Sequence, residues 1–243
     1  MTTRDAFLGG TLTLVQPASG FRAGVDSVML AAAVPARAGE RVLELGSGAG
    51  VAALCLARRV EGVAVTGLEI QADLAALAAE NAAANGLAGR VRFRAGAVED
   101  PPPGLAAEPF DHVMMNPPFF VEGTDDAPPD PGKRLAHIAD AAALARWVTC
   151  ARTCLAPKGR LTAILPAERL PALLAALAKG FGGIGVFPLW PRAGAAAKRV
   201  LVGAQAGSRG PFALRPGLVL HGAGNGYTSA AEAILRGGAG LQI

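Results

Sequence analysis

The sequence has little charge, few cysteines and no long apolar run. Only 17% of its 243 residues are charged and 51% are hydrophobic, so the chain has enough apolar side chains to build a core and is not predicted to be disordered. No run of about 18 uncharged apolar residues occurs, so no membrane span is expected. Three cysteines (Cys55, Cys150 and Cys154) are too few for a disulfide framework.

The N-terminal segment also lacks the features of a secretory signal. Residues 1–10 contain an arginine and an aspartate and have no apolar stretch, so secretion is not expected. Together these absences predict a soluble cytoplasmic protein. At about 150 residues per domain the length indicates one or two domains, and we predict a central domain over 41–206 with extensions over 1–40 and 207–243.

Charge is distributed unevenly along the chain. Residues 95–130 contain eight acidic side chains and no lysine or arginine, whereas residues 179–243 contain seven basic side chains and one acidic one. A basic C-terminal third can form a binding surface for phosphates. It is equally well explained as the ordinary surface of a chain rich in arginine and alanine, and the sequence alone leaves both interpretations open.

Short apolar runs alternate with helical patterns from about residue 40 onward. This alternation is typical of an α/β protein with a mostly parallel sheet and helices on both faces. Seven strands are predicted, over 41–45, 63–68, 91–94, 110–115, 160–165, 185–189 and 199–204. Helices are predicted between them, over 51–60, 71–85, 139–155 and 171–179, with one more over 229–235.

A glycine-rich loop follows the first predicted strand. It reads Glu44-Leu45-Gly46-Ser47-Gly48-Ala49-Gly50, and glycines here let a ligand approach the backbone at the start of a helix. A dinucleotide fingerprint requires glycine at the sixth position, where Val51 stands, so an NAD oxidoreductase is disfavoured. The loop resembles motif I of the S-adenosylmethionine (SAM) methyltransferases. The resemblance implies that Glu44, Gly46, Ser47, Gly48 and Gly50 hold the cofactor.

Two further segments are expected on the cofactor. Glu69 ends the second strand, where a carboxylate can accept both ribose hydroxyls; alternatively it interacts only with the dipole of the next helix. Ile70 follows it and is expected to line the same site. Because Gly96-Ala97 stands where many SAM enzymes carry aspartate, the adenine is expected to lie against backbone amides and apolar groups near Ala97.

The fourth strand runs into Asn116-Pro117-Pro118-Phe119. Two prolines stiffen this segment, since each fixes φ and neither has an N–H. The Asn116 side-chain oxygen and the Pro117 carbonyl can accept the two N–H groups of an exocyclic amine, and Phe119 can stack on the base, worth about 1–3 kcal/mol. The base must leave its stack to enter. Asn116, Pro117 and Phe119 are therefore the predicted catalytic residues; the alternative is a proline-rich turn with an incidental aromatic.

With both motifs in this order, the chain resembles the bacterial tRNA(Val) adenine-N6-methyltransferases, within the Asn-Pro-Pro-aromatic methyltransferase group. The resemblance includes residues 20–30, where Gly24 and Asp26 are implied to lie near SAM, and the tail around 226–228. Asp26 is alternatively an N-cap of the following helix. The resemblance implies a Rossmann-like SAM methyltransferase domain over 41–206, with an N-terminal extension packed on the cofactor site. It also implies that the substrate is tRNA. Neither membrane association nor an obligate protein partner is expected.

Other functions stay open on the sequence. The same tetrad serves guanine N2 in ribosomal RNA enzymes and glutamine amides in release-factor methyltransferases, although only about 40 residues precede the glycine loop, too few for a separate substrate domain. A non-catalytic SAM- or RNA-binding module is the alternative of another class. No metal site is predicted, because Cys150 and Cys154 are better explained as small buried hydrophobes.

Overall fold

The computed structural model describes residues 1–19, 22–107, 109–118 and 131–243, and over 131–140 it describes the backbone alone. No helix in these described segments is long and apolar enough to cross a membrane. The helices are α1 (Val25–Ala33), α2 (Val51–Arg59), α3 (Ala72–Ala84), α4 (Pro131–Cys154), α5 (Leu170–Leu177) and α6 (Ser229–Leu235), with short 3₁₀ turns at Leu8–Gly10 and Ala167–Arg169.

The strands form two sheets. An N-terminal hairpin consists of β1 (Thr2–Phe7) and β2 (Leu12–Pro17). The strands of the main sheet are β3 (Arg41–Leu45), β4 (Ala64–Glu69), β5 (Val91–Ala95), β6 (Phe110–Met115), β7 (Leu155–Pro166), β8 (Phe181–Trp190), β9 (Arg199–Ala206), β10 (Ala213–Leu214) and β11 (Leu218–Val219).

The main sheet confirms the predicted α/β class. Its seven long strands lie in the order β8-β9-β7-β6-β3-β4-β5, and the two-residue strands β10 and β11 both pair with β8 at one edge. Only β9 runs against its neighbours β7 and β8. The mostly parallel sheet of seven strands is thus as predicted, and β10 and β11 extend it.

Hydrophobic clusters cover both faces of the sheet. Residues of α1 and α2 pack on one face together with Met114 and Ile164, whereas residues of α4 and α5 pack on the other with Val113 and Met115. Successive strand residues point to opposite faces, so β6 contributes alternately to the two clusters. This arrangement explains why these strands are apolar at nearly every position.

Several element boundaries differ from the sequence predictions. The hairpin β1–β2 was not predicted, because β1 is largely polar and alternates only between exposed and half-buried residues. Strand β7 begins at Leu155 instead of 160, and Lys158 within it has a positive φ of 65°. Helix α4 begins at Pro131 instead of about 139.

A buried asparagine attaches the hairpin to the main sheet. The Asn81 side chain, on α3, accepts a hydrogen bond from the Val15 N–H (2.8 Å) and donates to the Val15 carbonyl (2.9 Å) and to the Ala49 carbonyl (3.0 Å). Ala49 belongs to the glycine-rich loop, so one side chain fixes both the hairpin and that loop. Asn85, one turn later and nearer the surface, pairs with Thr13 in the same way.

Substituting Asn81 with alanine should destabilise the protein by about 2–3 kcal/mol, because it leaves the half-buried backbone groups of Val15 and the buried carbonyl of Ala49 without partners. Asn85→Ala is the matched control. Its backbone partner is exposed and can bond to water, so its cost should stay below about 1 kcal/mol. Urea denaturation of both variants measures the difference, and equal losses would contradict the role given to Asn81.

Candidate active site

The glycine-rich loop lies between β3 and α2, and its first and last glycines are closely packed. Gly46 and Gly50 have positive φ angles of 69° and 85°. A Cβ at Gly46 would lie 2.5 Å from the Trp147 ring, and one at Gly50 would lie 2.6 Å from the Phe93 ring. At Gly48 a Cβ would meet nothing within 4 Å. The two ends of the loop therefore pack against aromatic rings, whereas space is open beside Gly48 at its centre.

The Glu69 carboxylate is fixed against this loop. It is buried at the end of β4, where Oε2 accepts a hydrogen bond from the Gly48 N–H (2.8 Å) and Oε1 accepts one from the Gln71 N–H (2.9 Å). Each carboxylate oxygen has a further lone pair, so the group can still accept from ribose hydroxyls. The neighbouring Ile70 is 68% exposed, which makes its side chain available for contact with a ligand.

Two other expected cofactor residues lie at the same edge of the sheet. Ala97 follows β5, and the N–H of Gly96 beside it donates to the Glu69 carbonyl (2.9 Å), which brings this segment next to Glu69. The Ser47 hydroxyl is buried and has no hydrogen-bond partner among the residues that the structure describes. A buried hydroxyl without a partner is costly, and a polar group of a bound ligand would satisfy it.

Glu44 has a different environment from that of Glu69. Its side chain is only 4% exposed, and its Oε2 accepts a hydrogen bond from the Ala53 N–H in the first turn of α2 (2.9 Å). Burial, followed by the nearby Glu69 charge, raises the pKa of Glu44 from 4.5 to about 8. The carboxylate thus fixes α2 behind the glycine loop, and a direct contact with the cofactor stays a prediction.

The structure corrects the interpretation of Asp26 as an N-cap. Gly24 occupies the N-cap position of α1 without a side-chain hydrogen bond, and Asp26 lies within the first turn. The Asp26 carboxylate instead accepts a hydrogen bond from Arg199 Nε on β9 (2.8 Å). This ion pair ties α1 to the sheet, which the sequence did not indicate because 173 residues separate the partners. Contacts of Gly24 and Asp26 with SAM stay predictions.

The parallel register brings the tetrad to the glycine loop. Leu45 pairs with Met115, each the last residue of its strand, so Gly46 and Asn116 leave the sheet side by side. The Asn116 side-chain oxygen is shielded from solvent, and no residue in the described part of the chain donates to it. Pro117 is buried. The Phe119 prediction lies outside the described residues.

Arg169 is a site residue that sequence analysis missed. It is buried at the end of the 3₁₀ turn after β7, and its Nη1 donates to the Pro118 carbonyl (2.8 Å). Nothing in the local sequence Ala167-Glu168-Arg169 distinguishes it from an exposed helix start. Trp147, which packs against Gly46, was also missed, although its place on an apolar face of α4 is consistent with burial.

Comparison with known proteins identifies the family. The family model described as "methyltransferase small domain" matches residues 19–186. The chain belongs to this family. The methyltransferase is 30% identical, over 211 residues that make up 85% of each chain, to the tRNA1(Val) (adenine(37)-N6)-methyltransferase of Aeromonas salmonicida. It is 32% identical to the enzyme of that name from Porphyromonas gingivalis strain W83, covering 70% of this chain and 68% of the relative.

A solved structure agrees with the fold. The crystal structure of a predicted O-methyltransferase from Agrobacterium tumefaciens superposes with a TM-score of 0.76 at 26% identity, covering 90% of this chain and 99% of that one. The chain is therefore a SAM-dependent methyltransferase. The buried Ser47 hydroxyl and the open space at Gly48 fit this cofactor.

The buried Glu44 gives the methyltransferase a specific pH dependence of stability. Because its pKa is higher in the folded chain than in the unfolded one, the folded state binds the extra proton between about pH 4.5 and 8, and stability falls as the pH rises through that window. Glu44→Gln keeps a carbonyl oxygen that can accept from the Ala53 N–H and removes the titratable carboxyl group. The wild type should therefore lose stability relative to this variant from pH 5 to pH 8, as measured by urea denaturation; parallel curves would contradict the assignment.

Arg169→Met should lower kcat by roughly 10–100-fold, because a hydrogen bond from a charged group is worth about 1.5–3 kcal/mol and its removal frees the Pro118 carbonyl beside Asn116. SAM affinity should stay unchanged, since the glycine loop is untouched. Arg169→Lys, which can still donate one bond, should recover part of kcat. Kinetics and SAM titration separate this positioning role from a general loss of folding, which would lower both quantities in both variants.

Proposed function

We propose that this methyltransferase modifies N6 of an adenine in tRNA. The observation that carries the proposal is the buried Asn116 side-chain oxygen, an acceptor without a donor among the described residues, located beside the glycine loop. The curated relatives named above methylate this atom of a tRNA according to their names, and their similarity extends over most of this chain.

The tetrad suits an amine that carries two hydrogens. Conjugation with the ring makes the nitrogen of an exocyclic amine a poor nucleophile. The Asn116 oxygen and the Pro117 carbonyl would accept its two N–H groups, which favours a tetrahedral nitrogen and directs its lone pair toward the cofactor side of the site. Phe119 would hold the base by stacking. Preorganised acceptors of this kind need no reorganisation during the reaction.

The residues of the glycine loop and of the neighbouring strand ends would hold SAM. When bound, SAM supplies an electrophilic methyl group on a positively charged sulfur. Glu69 would accept from the ribose hydroxyls while its two backbone hydrogen bonds keep it in place. Ser47 would bond to a polar group of the cofactor, and Ile70 and Ala97 would contact the adenine. Glu44, Gly46, Gly48 and Gly50 would shape the loop, and Gly24 and Asp26 would close the site from α1.

An oxygen acceptor fits this site less well than an amine. A hydroxyl has one hydrogen, so it would leave either the Asn116 oxygen or the Pro117 carbonyl without a donor, at a cost of about 1–3 kcal/mol if that group is buried. Guanine N2 and a glutamine amide each carry two hydrogens and satisfy both acceptors. They remain the competing substrates that an experiment must separate.

Three segments of the chain have different roles in this proposal. We propose that residues 1–40 support the cofactor site, that residues 41–206 form the catalytic domain, and that residues 207–243 are an extension. The hairpin fixed by Asn81 supports the first part, because Asn81 also holds the glycine loop through Ala49. The enzyme would act on tRNA in the cytoplasm without an obligate protein partner.

Asn116→Ala should abolish methylation of unmodified tRNA while leaving the SAM dissociation constant within a few-fold of the wild type. The substitution removes one of two acceptors and leaves the backbone of the glycine loop unchanged. Asn116→Asp, which retains an oxygen acceptor, is the matched control and should keep more activity than the alanine variant. Normal turnover by Asn116→Ala would refute the role of this side chain.

A further inference from the structure

A large cavity lies near the amino-terminal ends of the parallel strands β6 and β7, whereas the active site lies at their carboxyl-terminal ends. Its volume is about 1120 Å³. It is lined by residues of β6, β7 and β8, including His112 and Arg160, by residues 203–205 of β9, by the end of α1, and by residues 240–243. His112 precedes Asn116 by four residues, so at about 3.3 Å per strand residue the cavity begins roughly 13 Å from the tetrad.

The charged residues that line this cavity are mainly arginines. Four of them contribute to its wall, at Arg37, Arg59, Arg160 and Arg215, against a single acidic side chain, Glu40. Even if a carboxylate on Ile243, the last residue of the sequence, is counted, positive charges outnumber negative ones by four to two. A concave surface with this charge attracts anions.

Three of these arginines are not used to hold the fold together. The Arg59 side chain already has partners, since it donates to the Ala31 carbonyl (2.9 Å) and the Val34 carbonyl (2.6 Å) at the end of α1. The side chains of Arg37, Arg160 and Arg215 are exposed and have no hydrogen-bond or ion-pair partner among the described residues. Their guanidinium groups are available to an external ligand, and guanidinium groups bind phosphate oxygens in a bidentate way.

We propose that this cavity binds backbone phosphates of the RNA substrate at a place remote from the methylated base. The proposal rests on the proposed function in that it takes the substrate to be RNA. A polymer suits the position of the cavity, because a ligand that occupies both edges of the sheet must extend well beyond one nucleotide. The cavity then contributes to the choice of a large folded RNA over a short fragment.

Salt-dependent binding tests the proposal. The dissociation constant of bulk unmodified tRNA is measured across a range of salt concentrations for the full chain and for Arg160→Gln/Arg215→Gln. Removal of one cation that neutralises a phosphate lowers the slope of log affinity against log salt by about one. The double variant should therefore show a slope smaller by about two and a dissociation constant at least about tenfold higher at ~0.1 M salt.

Arg92→Gln is the matched control, because Arg92 is also exposed but lies on β5 at the far edge of the sheet. It should retain the wild-type slope, and all three proteins should bind SAM equally. Equal slopes for the double variant and the control overturn the cavity proposal. A second result would also overturn it. If inorganic phosphate stabilises the wild type but not the double variant, and the salt slope for RNA binding is the same in both, then the ligand of the cavity is a small anion.

The outcomes also separate this proposal from the proposed function. If tRNA binds with the expected decrease of slope in the double variant but is not methylated at adenine N6, the cavity proposal stands and the proposed function fails. If tRNA is methylated and the double variant binds it with the wild-type slope, the function stands and the cavity proposal fails.

Discussion

The parallel register of β3, β4 and β6 is the constraint on which the active site depends. Leu45 pairs with both Leu68 and Met115, so all three strands reach the same edge of the sheet together. The N–H groups of Gly46 and Ser47 then both donate to the Leu68 carbonyl, which turns the glycine loop over the end of β4. A slip of one residue would reverse every side chain on a strand, and the apolar clusters on both faces resist it.

Charge is segregated between the two edges of the sheet. At the carboxyl ends of the parallel strands, the Glu69 side chain lies against the glycine loop, where a carboxylate suits a cationic cofactor. Glu44 keeps its proton over much of the neutral range because burial raises its pKa to about 8, whereas Glu69 accepts two backbone N–H groups. At the opposite edge, arginines line the cavity. One sheet thus offers separate places for a positively charged cofactor and for a polyanion.

Local sequence was sufficient to predict that the glycine loop, Glu69 and the tetrad lie at the same end of the sheet; that their residues bind ligands stays a prediction. The glycine loop, Glu69 and the tetrad each follow a strand whose apolar pattern is plain, and parallel strands bring their ends to one edge. Contacts between distant segments could not be predicted. The hydrogen bond from Arg169 to Pro118 spans 51 residues, and the Asp26–Arg199 pair spans 173 residues. The hairpin β1–β2 was missed for a related reason, since Asn81 fixes it from 66 residues away.

Methyl transfer from labelled SAM to three pools tests the central claim most directly. Unmodified bulk tRNA, ribosomal RNA and a protein extract are each incubated with the enzyme, and the labelled product is analysed by nucleoside and amino-acid mass spectrometry. We expect N6-methyladenosine from the tRNA pool. Label confined to ribosomal guanine or to protein glutamine would contradict the substrate while keeping the chemistry of the amine. An absence of label from all three pools, with SAM still bound, would contradict the account as a whole.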